Sequence, residues 1–236
     1  MKITSVIAHG SSTNLVGAPV NAYDCVGAYV GNDKFDPTLN LGYQGDGLFN
    51  GGMQNGNGPV LFPNGVFSSN FTAYDLNGDG IVDPGWIRLG SWAPGAFTPA
   101  SIGGQNIVGS DWFTATVNSN SRSGTWALTL PSNIQDLVSP LFGTNLFDHL
   151  LISIKGGDSF AAYDFSATQL GLPLTTPHDF QGTWDVTNTL TGGISHMDIY
   201  VRDPLVPGTN LPEPASIVLV GLALAGLGLS ARRRSI

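Results

Sequence analysis

Apolar and polar residues alternate most regularly in the second half of the chain. From about residue 105 onward, short segments rich in Thr, Val, Ile and aromatic side chains recur, and clusters of Gly, Asn and Ser separate them. This pattern is typical of β-strands joined by turns. It predicts six strands, at residues 112–117, 124–130, 149–154, 159–165, 181–187 and 196–201.

The connections between neighbouring predicted elements also favour a β-rich architecture. The segment Lys155–Asp158 joins two of these strands at the spacing of a hairpin. Residues 3–8 have the pattern of a first strand, and one short helix is predicted around Ser132–Leu141. Many short strands with so little helix favour an all-β fold, an antiparallel β-sandwich or jelly-roll-like domain.

Residues 31–110 have a different composition. Gly, Asn, Asp and Pro are dense there, as in the segment Tyr43–Gly52. We therefore predict long Gly/Asp-rich loops carried on the sandwich rather than a second domain. Loops of this length need to be organised, either by packing or by a bound ion.

The C-terminal segment has the pattern of a membrane anchor. Ala215–Ala231 contains no charged residue, and as a helix it would extend about 26 Å, near the lower limit for a hydrocarbon core. Arg232, Arg233 and Arg234 follow, and the positive-inside rule places them in the cytoplasm. The predicted organisation is an exported body at 1–203, a Pro-rich spacer at 204–211, and a sorting and anchor segment at 212–236 with one transmembrane helix at about 215–231.

The charge content narrows the class of binding partner, and the cysteine content excludes an internal disulfide. Only 11% of residues are charged, and the formal net charge of −8 combines +2 in the tail with −10 in the residues before it. An acidic body argues against nucleic acid as a partner and suits cations or neutral glycans. Cys25 is the only cysteine, so no internal disulfide can form.

The tail resembles a known sorting signal. Pro212-Glu213-Pro214, then the apolar run, then the arginines are similar to the PEP-CTERM signal of Gram-negative bacteria. The resemblance implies processing near this motif by an exosortase, a membrane protease-transpeptidase. It also implies a protein anchored in the inner membrane before processing and located at the cell surface or outside the cell afterwards. The analogous sortase motif Leu-Pro-x-Thr-Gly is absent, because Leu211 is followed by Pro-Glu-Pro.

Two further observations concern the exported body. Residues 1–9 contain one Lys and no apolar stretch of signal-peptide length, so we expect the start of the chain to be truncated. The body also resembles a recurrent type of PEP-CTERM protein, which implies an exported β-rich domain of a type generally without assigned activity. The similar stretches are residues 31–33, 45–48, 124–126, 154–163, 182–184 and 194–200.

One local motif predicts a metal site. Asp75, Asn77 and Asp79 precede Gly80 in the pattern D-x-[DN]-x-[DN]-G, the first half of an EF-hand-like calcium loop. Their side-chain oxygens would ligate Ca²⁺. The further ligands would be the carbonyl oxygen of Ile81 and the side chain of Asp83.

The motif departs from a complete calcium loop. Its twelfth position, which normally supplies a bidentate Glu, is Trp86, and Pro84 prevents an exiting helix. The last ligand would be Asp83 or would come from elsewhere, such as Asp46. The alternative interpretation is a turn, because Asn-Gly and Asp-Gly form turns without any ion.

The sequence positions of the tryptophan and histidine residues indicate their roles. Trp86 and Trp92 lie beside the calcium-like loop, where exposed indoles could form a platform for sugar rings. Trp112, Trp126 and Trp184 lie in strand patterns and are interpreted as core. The four histidines are scattered without ligand spacing, and His149 and His196 are interpreted as structural residues rather than ligands.

The sequence contains none of the common enzyme signatures, so we predict that the protein is not an enzyme. The predicted function is that of a cell-surface or extracellular-matrix protein of a Gram-negative bacterium, sorted by an exosortase, with a structural or adhesive role. The alternative is a calcium-dependent, lectin-like module that binds extracellular polysaccharide. A polysaccharide hydrolase is a third hypothesis, supported only by surplus aspartates.

Overall fold

The computed structural model describes residues 1–63, 75–143 and 146–203. The chain divides into two units, Met1–Pro204 and Leu205–Ile236. The predicted spacer, the sorting motif, the transmembrane helix and the arginine cluster lie outside the described residues. Within the described residues, no helix has the length and apolar character needed to span a membrane.

The described residues form two antiparallel sheets and one α-helix. The strands are β1 Lys2–Ala8, β2 Val20–Asn21, β3 Asp24–Val30, β4 Trp86–Ala93, β5 Ala96–Pro99, β6 Phe113–Ala115, β7 Ser123–Leu128, β8 His149–Gly156, β9 Ser159–Ser166, β10 His178–Asp185 and β11 Ile194–Arg202. Helix α1 spans Ile134–Phe142, and short 3-10 turns span Leu48–Asn50 and Gln54–Gly56. The five-stranded sheet has the order β2-β1-β10-β7-β6, and the six-stranded sheet has the order β3-β9-β8-β11-β4-β5.

Most elements predicted from the alternation pattern are confirmed. Each of the six predicted strands overlaps one of β6 to β11, and residues 3–8 form most of β1. The hairpin at Lys155–Asp158 joins β8 to β9, which pair from His149 to Ser166. The predicted helix is α1, which begins two residues later than expected.

The prediction that residues 31–110 are loops was wrong for β4 and β5. Strand β4 is an inner strand of the six-stranded sheet, between β11 and β5. Its pairing with β11 skips Leu89, since Tyr200 faces Arg88 and Ile199 faces Gly90. This bulge shifts the alternation by one residue, so the period of two that would reveal the strand is interrupted.

The two sheets pack face to face through one apolar core, as in a β-sandwich. Leu150, Ile152 and Ile154 of β8 point into this core together with Trp126 and Trp184 of the other sheet. Trp112 is buried in the same cluster, so the interpretation of these three tryptophans as core is confirmed.

A reciprocal contact between two Gly-Thr-Trp segments fixes the register of the five-stranded sheet. In the pairing of β7 with β10, Trp126 faces Gly182 and Trp184 faces Gly124. A Cβ atom on Gly182 would lie 2.5 Å from the indole of Trp126, and one on Gly124 would lie 2.8 Å from that of Trp184. Each glycine therefore provides the space that the opposite indole occupies.

The described segment that follows β3, residues 31–63, packs on the outer face of the six-stranded sheet. Phe49 lies with its ring centroid 4.8 Å from that of Tyr200 on β11 and 4.9 Å from that of Phe62. This segment is organised by packing, one of the two mechanisms expected for loops of this length. The outer cluster consists of Leu48, Phe49, Phe62, Trp86, Leu151, Phe160, Ala162 and Tyr200.

Two asparagine side chains hydrogen bond the backbone of β4 where β5 does not reach. Strand β5 pairs only with residues 90–93. The Asn50 amide donates to the carbonyl of Trp86 at 2.7 Å and accepts from its N–H at 3.0 Å. The Asn40 amide makes the same pair of bonds with Arg88, both at 2.7 Å. The side chains thus replace a missing strand.

We expect Asn50→Ala to lower the free energy of unfolding by about 2–3 kcal/mol, because it leaves the buried N–H and C=O of Trp86 without partners. Chemical denaturation of the purified protein measures this change. Asn106→Ala is the matched control, since Asn106 is exposed. Equal stability of the two variants would show that the Asn50 bonds do not hold the loop on β4.

Candidate functional site

The predicted calcium loop folds around the carboxylate of Asp75. This carboxylate accepts hydrogen bonds from the backbone N–H groups of Gly78 at 2.6 Å, Asp79 at 3.1 Å and Gly80 at 2.9 Å. The side-chain oxygen of Asn77 accepts from the N–H of Asp79 at 3.1 Å. The Asp75, Asn77 and Asp79 side chains lie on an exposed turn.

Asp83 connects this loop to the segment that precedes the first 3-10 turn. It is buried, and its two carboxylate oxygens accept from the N–H groups of Gln44 at 2.7 Å and Leu76 at 2.8 Å. Asp46, the supplementary ligand considered above, accepts from the N–H groups of Leu39 and Leu41. One cleft is lined by Thr38, Leu39, Tyr43, Gln44, Gly45, Asp46, Asn77, Asp79, Ile81 and Asp83.

The carboxylates of this loop do not converge as a closed metal site does. Among the residues that the structure describes, one group of three His, Cys, Asp or Glu side chains has its ligand atoms within 4.8 Å of one another, and it lies elsewhere. Asp75, Asp79 and Asp83 do not form such a group. Calcium binding at this loop stays a prediction.

The predicted aromatic platform is not formed by Trp86 and Trp92. Trp86 is 1% exposed and belongs to the outer cluster, where its ring lies 6.5 Å from that of Phe49. Trp92 is 4% exposed and belongs to the core between the sheets. Both indoles lie in strand β4, which the sequence analysis assigned to a loop, so neither presents a face to solvent.

A cluster of charged side chains lies on the outer face of the six-stranded sheet. His196 and Asp198 occupy alternate positions of β11, and Ser153 of β8 faces Asp198 in the strand pairing. Arg88 comes from β4, and Asp33 comes from the chain that follows β3. Four separate segments therefore meet at this point.

Asp33 lies at the centre of the cluster. One of its carboxylate oxygens, Oδ2, accepts a hydrogen bond from the Ser153 hydroxyl at 2.6 Å, and the other, Oδ1, lies 2.8 Å from Nε2 of His196. The carboxylate of Asp198 is held in the same way, with one oxygen bonded to a neighbouring side chain and the other oxygen facing His196. Its Oδ1 accepts from Arg88 at 2.8 Å, and its Oδ2 lies 3.7 Å from His196 Nε2.

Burial shapes the electrostatics of this cluster. Asp33 and Asp198 are 0% and 1% exposed. Burial raises the pKa of Asp198, and the nearby charge of Arg88 opposes this effect. For His196, burial lowers the pKa, but the hydrogen bond and charge of Asp33 outweigh it, so the net pKa is raised.

The cluster opens to the surface through His196, whose side chain is 20% exposed. This residue contributes to two clefts. One is bounded by Asn32, Lys155 and Ser195. The other is lined by Arg88, Ser91, Thr98 and Asp198, among other residues.

Sequence reasoning treated His196 as structural and did not identify Asp33 or Asp198. One local signal for the pair on β11 exists: His196 and Asp198 are both polar and share the face of a strand otherwise rich in apolar residues. Asp33 has no comparable signal, because only the fold brings it to β11. His149, assigned in the same way, is buried and bonded to Asp164 at 2.8 Å, as expected for a structural residue.

Comparison with protein-family models finds the PEP-CTERM protein-sorting motif at residues 210–234. No curated protein and no solved structure matches the chain. The resemblance of the tail to this sorting signal is therefore confirmed. The motif indicates an exported protein that is anchored in the membrane before an exosortase processes it.

Proposed function

We propose that this protein is a structural or adhesive component of the cell surface or extracellular matrix and not an enzyme. The observation that carries the proposal is the sorting motif at residues 210–234, which follows a β-sandwich whose last described strand ends at Arg202. A signal of this kind marks an exported protein that is anchored in the membrane before an exosortase processes it. The acidic charge of the body suits an environment of neutral glycans and cations.

The buried cluster does not form a pair of serine nucleophile and histidine base. Nucleophilic catalysis needs a base that takes the proton of the hydroxyl. Here Ser153 donates to Asp33, and the carboxylate stands between the serine and His196. His196 is therefore not placed to activate Ser153, which is itself 0% exposed.

The finer features of the anchor belong to the same proposal. We propose that residues 215–231 cross the inner membrane before processing, with Arg232–Arg234 in the cytoplasm and the body outside. Residues 204–211 would then act as the spacer. Processing near Pro212–Pro214 would release the body to the surface or matrix.

The full chain can be expressed behind a Sec signal peptide in Gram-negative hosts with and without an exosortase. We expect the protein to become shorter and to leave the inner-membrane fraction only in the host that contains an exosortase. Cell fractionation and intact-mass measurement detect both changes. Glu213→Ala should block processing, because it alters the sorting motif, whereas Ser230→Ala in the same tail should not. Identical processing in an isogenic host without exosortase would contradict the proposal.

A structural or adhesive role predicts that loss of the gene reduces cohesion of the cells or their matrix without abolishing an enzymatic activity. Sedimentation and biofilm assays of a deletion strain, with and without complementation by the wild-type gene, measure this loss of cohesion.

The lectin-like alternative predicts a different result. Glycan-array binding by the purified body that disappears with a chelator would favour that alternative over a purely structural role.

We also propose Ca²⁺ as a ligand of the loop from Asp75 to Asp83. The proposal is supported by the backbone N–H groups that already orient Asp75, Asn77 and Asp79 at alternate positions. The Ile81 carbonyl would complete this side of the ion. Because Asp83 connects the loop to Gln44, a bound ion would stabilise that junction.

We expect millimolar Ca²⁺ to raise the melting temperature by about 2–4 °C relative to chelator, the size of shift that about 1 kcal/mol produces in a body of this length. Asp79→Asn should remove the shift. Asp111→Asn, at an exposed aspartate outside the loop, should retain it. A melting temperature that Ca²⁺ leaves unchanged would exclude this site.

A further inference from the structure

We propose that Asp33, His196 and Asp198 form a binding site for a divalent transition-metal ion, with Zn²⁺ as the ion that best fits the ligands. These three side chains bring one nitrogen and two carboxylate oxygens within 4.8 Å of one another. The site shares no residue with the calcium loop or with the sorting motif. It does not depend on either of those proposals.

The two carboxylates are oriented as metal ligands are. In each of them a neighbouring side chain holds one oxygen, Ser153 for Asp33 and Arg88 for Asp198. The remaining oxygens, Oδ1 of Asp33 and Oδ2 of Asp198, are the ones that lie near Nε2 of His196. Hydrogen bonds from outer residues that fix the ligands are a general property of metal sites.

The separations between the ligand atoms suit a small ion. His196 Nε2 lies 2.8 Å from Asp33 Oδ1 and 3.7 Å from Asp198 Oδ2. A tetrahedral Zn²⁺ with bonds of about 2.1 Å keeps its ligands about 3.4 Å apart. The observed distances lie on both sides of this value, so small side-chain movements would complete the geometry.

The charges of the cluster also favour a dication. Asp33 and Asp198 are both buried and carry two negative charges, whereas Arg88, which bonds to Asp198 and to the exposed Asp36, carries one positive charge. Asp36 also pairs with Lys34 at the surface. With His196 in its neutral, ligating form, the buried carboxylates therefore keep one uncompensated negative charge, which is costly in a buried site and which a divalent ion would compensate.

The ligand types identify the class of metal. Imidazole nitrogen with carboxylate oxygen suits Zn²⁺ and related transition metals, whereas Ca²⁺ and Mg²⁺ prefer oxygen ligands alone. His196 and Asp198 line the cleft that contains Ser91 and Thr98. This cleft gives an ion access to the site and gives room for a water molecule as a fourth ligand.

The test is zinc binding by the purified, tag-free protein after removal of metal with a chelator. Isothermal titration calorimetry and elemental analysis should give one Zn²⁺ bound per chain at this site. His196→Ala should weaken binding by about tenfold or more, and Ser153→Ala should weaken it by a smaller factor because it only releases Asp33. Circular dichroism establishes that each variant is folded.

His9→Ala is the matched control. His9 also pairs with an aspartate, Asp179, at 3.4 Å, but no third ligand accompanies this pair among the described residues. The His9→Ala variant and an Asp75→Asn/Asp79→Asn variant should bind Zn²⁺ as the wild type does. Cobalt substitution gives an independent readout, since tetrahedral Co²⁺ should absorb in the visible range in the wild type and not in His196→Ala.

Three results would overturn the proposal. The first is a wild-type protein that binds no Zn²⁺ at micromolar concentrations. The second is a folded His196→Ala variant that binds with unchanged affinity. The third is loss of binding in the His9→Ala or the Asp75→Asn/Asp79→Asn variant instead, which would place the ion at another site.

Discussion

The backbone of β4 at Trp86 and Arg88 must find hydrogen-bond partners, and this requirement governs the whole outer layer. Strand β5 is too short to supply them, so the side chains of Asn50 and Asn40 do. Because these asparagines belong to the segment after β3, that segment is held flat against the six-stranded sheet. Phe49 and Phe62 of this segment are then buried, and Asp33 is brought to β8 and β11.

This layer divides the outer face of the sheet into two regions. Around Phe49 the contacts are apolar, whereas around Asp33 they are charged and open to a cleft. Both regions contain residues from the same face of β11. His196 and Asp198 belong to the charged region, and Tyr200 belongs to the apolar one. A single strand thus supplies both the support of the loop and the side chains of the proposed metal site.

The features predicted correctly from the sequence are those whose determinants are residues close together along the chain. Strands β6 to β11 are rich in Thr, Val, Ile and aromatic residues, several of them alternate with a period of two, and all six were predicted. The bulge at Leu89 concealed β4 and led to the wrong assignment of Trp86 and Trp92. The calcium motif is local and was visible, and calcium binding there stays a prediction, although Asp75, Asp79 and Asp83 do not form a compact group of ligands. The meeting of Asp33 with His196 depends on a sequence separation of 163 residues, which no local pattern encodes.

The position of β11 has a mechanical consequence for a protein retained by its C-terminus. Strand β11 is the last described strand, and it lies between β8 and β4 with antiparallel hydrogen bonds on both sides. Any component of a load that acts along this strand from beyond Arg202 shears the hydrogen bonds of both ladders together. An edge strand has a single ladder, so fewer hydrogen bonds would resist the same load. The described body therefore ends on an inner strand that two ladders hold in place.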